Sequence, residues 1–352
     1  MNYSRRRSAA LAAVAEEVDS VLVTKLVNVR YLSGFSGSAG ALLLRRDGSV
    51  VLATDGRYRH QASVQSPDVD LIVTRTPAPD LVSAAGSATI GIERHHVTLA
   101  AHDVLVDAAG GARLVGVGEI VEGLRTTKDE EEVAAVSKAC AATDHAFSAV
   151  LGRLRPGVSE RDVAWALLQA MREAGAEDAA FDTIVAFGPN SAIPHHRPTD
   201  RVLERGDLVK LDFGARVDGY HADMTRTVVC GPPADWQREL HAQIADVQQQ
   251  CRAATLVGAS PQELDALARR LIAEQGHELV HGLGHGVGLE IHEQPFLSPA
   301  PSAAVLREGT LVTVEPGIYL PGRGGVRIED AVVVREDTAV PLTASRRDLV
   351  EI

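Results

Sequence analysis

No run of this chain approaches the roughly 18 consecutive apolar residues that a membrane-spanning helix requires. Cysteine is scarce. Cys140, Cys230 and Cys251 are the only three in 352 residues, too few and too odd a number for a disulfide framework, which points to a reducing, cytoplasmic setting with thiols used for packing. Positive charge is also short. Thirty-five Lys and Arg stand against 47 Asp and Glu, a formal net charge of −12. That balance argues against nucleic acid or an anionic membrane as a partner, because both repel net negative charge. Short-period repeats and low-complexity tracts are missing too. Near the start, Arg5-Arg6-Arg7 precedes a short Ala-rich stretch, Ser8 to Ala15, but Glu16-Glu17-Val18-Asp19 follows at once. A secretory leader carries a longer apolar core with no acids behind it, so this segment reads as the first helix of a soluble domain.

What is present suits a globular protein. At about 150 residues per domain the length suggests two domains, and a hydrophobic content of 45% suffices for sizeable cores. The pattern changes near residue 120. Before it, Val21-Leu22-Val23, Gly40 to Leu44, Val50 to Thr54, Val69 to Arg75 and Ala88 to Glu93 read as short strands, with a hairpin expected through Asp47-Gly48. Ala101 to Ala109 reads as helix. Residues 1–118 are therefore expected to form a small α/β domain with a mixed sheet and no cluster of potential ligands, its His95-His96 pair solvated. After it, Lys128 to Leu151, Val158 to Ala174 (capped by Ser159, stopped by Gly175) and Ser260 to Glu274 (Pro261 in its first turn) have helical spacing. Leu208 to Phe213, Tyr220 to Val229, Leu311 to Glu315 and Val326 to Val334 read as strands. Residues 119–352 are expected to be α+β with a mostly antiparallel sheet.

The second region carries the chemistry. Asp212 interrupts the apolar strand Val209-Lys-Leu-Asp-Phe, and Asp223 lies in His221-Ala-Asp-Met-Thr-Arg226. A charge on a buried strand is costly unless paired or metal-bound. If the two segments form a hairpin about Asp218-Gly219, these acids face one another across it and repel unless a cation lies between them. For either Asp alone, a turn role or an ion pair with Arg226 is sufficient explanation. Glu315 ends Leu311-Val-Thr-Val-Glu, directly before Pro316-Gly317, and Glu329 follows Val326-Arg-Ile, where Arg327 offers a simple counter-charge. Four such interruptions together are harder to assign to packing.

Within twelve residues, His281, His285 and His292 are interleaved with four glycines. Glycines on both sides free the backbone around His285 to aim its imidazole into a cleft. His195 follows Pro194, with His196 expected to be its solvated neighbour. Asp212, Asp223, His285, Glu315 and Glu329 make an oxygen-rich donor set without thiolate, suited to Mn²⁺, Fe²⁺, Co²⁺ or Zn²⁺. Four carboxylates exceed what one divalent ion needs. Two ions about 3.5–4 Å apart would balance the charge and activate a shared water. Spacing alone thus reaches a dinuclear metallohydrolase.

Taken in order, Leu211-Asp212-Phe-Gly, Gly219-Tyr-His-Ala-Asp223-Met-Thr-Arg226-Thr, His281-Gly-Leu-Gly-His285-Gly-Val-Gly, His292-Glu293, Val314-Glu315-Pro-Gly and Gly325-Val-Arg-Ile-Glu329-Asp330 resemble the motifs of the creatinase/prolidase superfamily. This is the pita-bread group that contains Xaa-Pro dipeptidase, aminopeptidase P and methionine aminopeptidase. Asn28-Val-Arg-Tyr31-Leu-Ser-Gly34-Phe35 and Thr54-Asp55-Gly-Arg57-Tyr58 resemble the N-terminal domain of the dipeptidase and aminopeptidase P branch, which methionine aminopeptidases generally lack.

The resemblance implies a creatinase-like α/β domain followed by a pita-bread domain, with a curved, mostly antiparallel sheet flanked by helices. It also implies roles. Asp212 would chelate one metal, Asp223 and Glu329 would bridge two, and His285 and Glu315 would bind the second, manganese being the first expectation. Glu315 would act as general base toward a metal-bridged hydroxide. His195 and His292 would contact substrate and serve catalysis, and His281 would line the pocket. The implied reaction is hydrolysis of an Xaa-Pro bond in short proline-containing peptides by a cytoplasmic homodimer. Phe296 stands where some strict dipeptidases carry an arginine for the substrate carboxylate, with Arg197, Arg323 or an arginine of a second subunit as substitutes. Two alternatives keep the fold: a metal-free creatinase-like C–N hydrolase, and an inactive binding or chaperone module. Both are disfavoured by the complete ligand set.

Overall fold

Turn chemistry sets the first sheet. The computed structural model describes residues 1–301 and 304–352 and falls into two compact units, residues 1–125 and 126–352. In the first, strands β1 (Ser20–Val23), β2 (Gly40–Arg45), β3 (Val50–Thr54), β4 (Asp70–Val73), β5 (Thr89–Glu93) and β6 (Arg113–Val117) form one sheet in the order β4-β3-β2-β1-β5-β6. β2 and β3 pair antiparallel through the Asp47-Gly48 turn, where Gly48 adopts φ 87°, a left-handed conformation open to glycine. The β3–β4, β1–β5 and β5–β6 ladders are parallel, so the sheet is mixed as expected. Helix Tyr3–Ala12 buries Arg6 and Arg7, whose guanidinium groups donate to the carbonyls of Tyr31 and Leu32. The basic segment is thus a packed helix. No helix among the described residues is long and apolar enough to cross a membrane.

The second unit starts on helix Glu130–Leu151, closed at its N-terminus by a capping box between Asp129 and Glu132. Helix Glu160–Glu173 has the expected Ser159 cap, and Gly175 at φ 94° ends it. Helix Pro261–Glu274 opens on its proline. Helix Asp235–Ala254 escapes the apolar pattern because its buried stripe includes His241 and Gln248 beside Leu240, Ile244, Val247 and Cys251.

Thirteen further strands complete the described fold: β7 (Asp178–Ala179), β8 (Ile184–Phe187), β9 (Leu208–Phe213), β10 (Ala215–Val217), β11 (Tyr220–His221), β12 (Met224–Val229), β13 (Gly284–Gly286), β14 (Glu293–Leu297), β15 (Leu311–Val314), β16 (Gly317–Leu320), β17 (Gly324–Arg327), β18 (Asp330–Arg335) and β19 (Thr338–Pro341). Their ladders are antiparallel. Two long hairpins dominate. One runs out along β9 and β10, turns at Asp218 (φ 50°) and Gly219 (φ 74°), and returns along β11 and β12. The other runs out along β15 and β16 and returns along β17 and β18. Each breaks midway. The uninterrupted strands expected over Tyr220 to Val229 and Val326 to Val334 are therefore each two strands, divided at Ala222-Asp223 and at Ile328-Glu329.

Apolar burial on both faces fixes this frame. Phe147, Leu167 and Met171 of the first two helices pack with Val209, Leu211 and Phe213 of β9. Leu240, Ile244 and Ile272 of the other two pack with Val312 and Val314 of β15. Each such side chain stabilises the fold by about 1.5–3 kcal/mol. Polar groups on these strands are thereby committed to a low-dielectric interior. All three cysteines are buried and free, as packing residues should be.

Candidate metal centre

Asp223, Glu315 and Glu329 sit at the breaks in the hairpins, and Asp212 lies within β9. Asp212 lies opposite Thr225 on the β9–β12 ladder. Ladders on either side of the first break keep one register, Phe213 with Met224 and Arg216 with His221, which sets Asp223 against Gly214. Asp212 and Asp223 are thus diagonal neighbours on one face, with Thr225 rather than Asp223 directly across from Asp212. A side chain at Gly214 would run into the carbonyl of Ala222. In the second hairpin, Val314 with Asp330 and Gly317 with Arg327 set Glu315 opposite Glu329. β13 delivers His285. A side chain at Gly284 would strike the Thr313 carbonyl, so glycine there lets the strand slide in beside β15.

The resulting cluster is tight. His285 Nε2 lies 3.5 Å from Asp223 Oδ2 and 3.4 Å from Glu315 Oε1. Ligand-type atoms of Asp223, His285 and Glu329 all fall within 4.8 Å of one another. His285 Nδ1 donates to the Gly286 carbonyl at 3.0 Å, which leaves the Nε2 lone pair facing the acids. Glu329 Oε2 accepts from Thr225 Oγ1 at 2.6 Å, while Oε1 is buried without a partner. Asp212 is held by the Arg327 guanidinium. Arg327 also donates to Tyr319 Oη at 2.6 Å and to Thr225 Oγ1 at 3.0 Å. It therefore serves Asp212, not Glu329 as the linear sequence suggested, because the chain breaks at Ile328 and turns the two side chains to different neighbours. Arg226 likewise pairs with Asp330, at 2.7 Å, rather than Asp223.

Burial and crowding set the protonation. Burial, then the charges of Asp212 and Glu315, push the Asp223 carboxyl well above its usual range. Glu329 is raised the same way, by burial and then by Asp223 and Glu315. Burial and Asp212 push Glu315 up to about 8, against the pull of Arg327. His285 is lowered to about 4, chiefly by burial and then by His292. A neutral imidazole, the three carboxyls whose ionisation burial and crowding oppose, and Asp212 beside them form the donor set of a divalent cation. The orphaned Glu329 oxygen fits the same demand.

These groups line a cavity of about 560 Å³ together with His195, His281 and His292. The rings of His292 and His285 meet edge-on with centroids 4.3 Å apart. His281 accepts from Tyr319 Oη through Nε2 at 2.9 Å and donates from Nδ1 to the Gly282 carbonyl at 2.7 Å. All eight residues singled out in the sequence are thus brought to one cavity. Arg323 stacks on Trp236 instead, 4.1 Å from the ring centroid.

Three features differ from expectation or were not foreseen. His196 is buried, not solvated: its Nε2 lies 2.8 Å from Glu160 Oε2. Lys210 is fully buried on β9 and donates to the carbonyls of Ile193 and Pro194, at 2.6 and 3.1 Å, just ahead of His195. And the first unit does hold a ligand-type group, Glu93, His95 and Glu122. His95 Nε2 lies 3.0 Å from Glu122 Oε1, while Glu93 is satisfied by Thr24, the Lys25 amide and Asn28. That cluster is a hydrogen-bonded brace for helix Leu26–Ser33.

The family follows from comparison with known proteins. Residues 134–336 match the model of metallopeptidase family M24, and residues 5–127 match the creatinase/prolidase N-terminal domain. An Xaa-Pro dipeptidase of Pyrococcus furiosus is 36% identical over 334 residues, 94% of this chain and 95% of the relative. The structure of an Xaa-Pro dipeptidase from Bacillus anthracis superposes with a TM-score of 0.95 at 36% identity, covering 100% of both chains. That of an X-Pro aminopeptidase from Thermotoga maritima superposes with a TM-score of 0.90 at 35% identity, covering 99% of each. Fold and donor set together define a two-domain metallopeptidase. The chain belongs to metallopeptidase family M24, with the pita-bread catalytic fold behind a creatinase/prolidase N-terminal domain.

Proposed function

We propose that this peptidase hydrolyses the bond between an N-terminal residue and a following proline in dipeptides or short peptides, with two divalent metal ions held by Asp212, Asp223, His285, Glu315 and Glu329. The observation that carries the reading is the buried cluster itself: four carboxylates and one neutral imidazole at a cavity, one carboxylate oxygen being left without a partner. Relatives named Xaa-Pro dipeptidase and X-Pro aminopeptidase support the substrate class.

When bound, the ions supply an activated water and polarise the scissile carbonyl. Asp223 and Glu329 would hold both ions, Asp212 one of them, and His285 and Glu315 the other. Manganese is the first choice, with cobalt, zinc and iron also suited to an oxygen-rich set. Glu315, whose proton affinity lies near neutrality, is the base that receives the proton of the attacking water. His195 and His292 contact the substrate and stabilise charge at the reacting amide, and His281 lines the pocket. Proline contributes no N–H and a fixed ring, which suits the apolar walls formed by Phe181, Ile184, Ile291 and Phe296. The working form in this reading is a cytoplasmic homodimer.

The test is a cleavage assay on protein stripped with chelator and reloaded with Mn²⁺ or Co²⁺. Ala-Pro, Ala-Pro-Ala and Ala-Ala-Ala are offered side by side, with Glu315→Ala as control. Metal-dependent cleavage confined to Ala-Pro bonds is the expected result. No cleavage with either metal, or cleavage equal to the control, would sink the reading.

A further inference from the structure

Two opposite charges are buried behind the wall that carries His292. Lys128 Nζ donates to Glu293 Oε1 at 2.6 Å, and the two side chains are 1% and 4% exposed. Neither residue is among those that line the cavity or form the acidic cluster. A buried ion pair is a poor device for stability alone, because packed apolar side chains of similar volume often do as well. What it does well is fix a direction.

The imidazole of His292 needs one fixed. Among the described residues it makes no hydrogen bond, and its ring contact is with His285. Its orientation therefore depends on its backbone. Glu293 follows it directly and opens β14, along which buried and exposed residues alternate, with His292 exposed just before. Successive side chains of a strand point to opposite faces. Anchoring Glu293 toward the interior thus turns His292 toward the cavity. The segment that leads into His292 rests on the same pair. The Gly288 carbonyl accepts from the His221 amide at 2.8 Å and from His221 Nδ1 at 3.0 Å, and the Glu290 amide donates to Glu293 Oε2 at 3.4 Å. A side chain at Gly288 would strike the Glu293 carboxylate, so the segment packs directly on the ion pair. Lys128 is fixed in turn. Its amide donates to the Gly309 carbonyl at 2.9 Å, and it directly precedes the Asp129 cap of helix Glu130–Leu151.

We infer that the buried Lys128–Glu293 ion pair is the positioning device for His292, holding the imidazole at the reacting amide from behind the wall without touching substrate or metal. This rests on the Xaa-Pro reading above, in which His292 serves catalysis. A catalytic group misplaced by about 1 Å costs up to about a hundredfold in rate. The tether lies one residue from His292 and away from the donor set, so its loss falls on kcat and spares metal binding.

The experiment uses the Mn²⁺-loaded enzyme with Ala-Pro. The variants are Lys128→Met, Lys128→Met with Glu293→Gln, His292→Ala, and each of the first two combined with His292→Ala. Lys128→Met strands a buried carboxylate. The charge-free pair removes that penalty and carries the test should the single variant not fold. Both are expected to lower kcat about tenfold or more, with KM and the Mn²⁺ affinity from calorimetry within about twofold of wild type. In the His292→Ala background the same changes should add about twofold or less, the mark of two groups acting through one. Losses as large in that background as in wild type overturn the inference, since the pair then acts on the fold at large. A folded charge-free variant with wild-type kcat overturns it too, as does a drop that tracks lost Mn²⁺ affinity. A His292→Ala variant as active as wild type removes His292 from the reaction, and the inference with it. A wild type that cleaves no Ala-Pro bond fails the Xaa-Pro reading itself.

Discussion

Thr225 Oγ1 donates to Glu329 Oε2 at 2.6 Å, and the Glu329 amide returns a bond to the Thr225 carbonyl at 3.1 Å. These two bonds join the two broken hairpins. They also fix the Glu329 carboxylate so that its other oxygen points, unpartnered, into the acidic cluster. A buried oxygen left this way costs about 1–3 kcal/mol, a cost that a cation would remove.

Replacing Glu329 with Gln separates the two roles of that carboxylate. Burial and the neighbouring acids already favour the neutral carboxyl in the metal-free fold, and glutamine copies its shape without charge, so the metal-free variant is expected to melt no lower than wild type. The stabilisation that a divalent ion gives the wild type, about 2.7 kcal/mol at a hundredfold excess over Kd, should vanish. Thermal unfolding with and without Mn²⁺ measures both. A variant that keeps the full metal-induced rise in Tm would remove Glu329 from the ligand set.

Protonation of the cluster predicts a pH slope. Glu315, Asp223 and Glu329 are all raised in the fold, Glu315 to about 8, whereas in the unfolded chain carboxylates ionise near pH 4. Between pH 7.5 and 9 the metal-free folded state therefore binds more protons than the unfolded state. His285, lowered to about 4, and His281, also lowered to about 4, are neutral in the fold, and above pH 7.5 histidine is nearly neutral in the unfolded chain too, so they add little slope there. Stability of the metal-free protein then falls as pH rises. Mn²⁺ displaces the protons, so the loaded protein should lose this slope and release protons on binding. Denaturation of both forms at pH 7.5 and 9 checks the first point, and calorimetry in buffers of different ionisation enthalpy the second. A metal-free protein that gains stability over this range would contradict the assignment.

What could be read in advance depended on how local its cause was. Asp212, Glu315 and Glu329 stood out because an acid beside an apolar strand is costly wherever the strand ends up. The Ser159 cap and the Asp47-Gly48 turn were legible because their partners lie within three residues. The partner of Arg327 was not, since it depends on the chain breaking at Ile328. The role of His196 was not, since Glu160 is 36 residues away. Helix Asp235–Ala254 hid behind a buried stripe containing His241 and Gln248. Tertiary contacts decide all three.

Lys210 offers a case where stability and activity should part. Its ammonium is fully buried on β9, donates to two backbone carbonyls, lies 5.1 Å from the centroid of the Tyr319 ring, and forms no ion pair among the described residues. Burying such a charge is expensive, and a well-packed apolar replacement of similar size is often neutral or stabilising. Lys210→Met is therefore expected to hold or raise Tm. It also frees the Ile193-Pro194 segment that carries His195, so kcat for Ala-Pro should drop about tenfold or more, the scale of a misplaced catalytic group. Unchanged kcat in a folded variant would show that His195 needs no tether, or no role.

Glu160 shows the opposite balance. Burial raises its proton affinity, but hydrogen bonds from Thr199, Asn190, His196 and Phe187 outweigh this and hold its carboxyl below the usual range. A lowered folded pKa means that the fold binds fewer protons here than the unfolded chain. The contribution to stability is present above about pH 4.3, the unfolded value, and is lost as pH falls through the folded one. Glu160→Ala strands several buried donors at once, His196 and the Phe187 and Thr199 amides among them. A cost of about 3–5 kcal/mol at pH 7 is expected, and it should narrow as the wild-type carboxyl is protonated. Urea denaturation of both proteins at pH 7 and at pH 3 measures the two gaps. Because Glu160 also holds His196, the neighbour of His195, whatever fraction of Glu160→Ala remains folded should bind Ala-Pro more weakly than wild type. A gap that stays constant with pH would mean that the carboxylate charge contributes nothing and that only packing was lost.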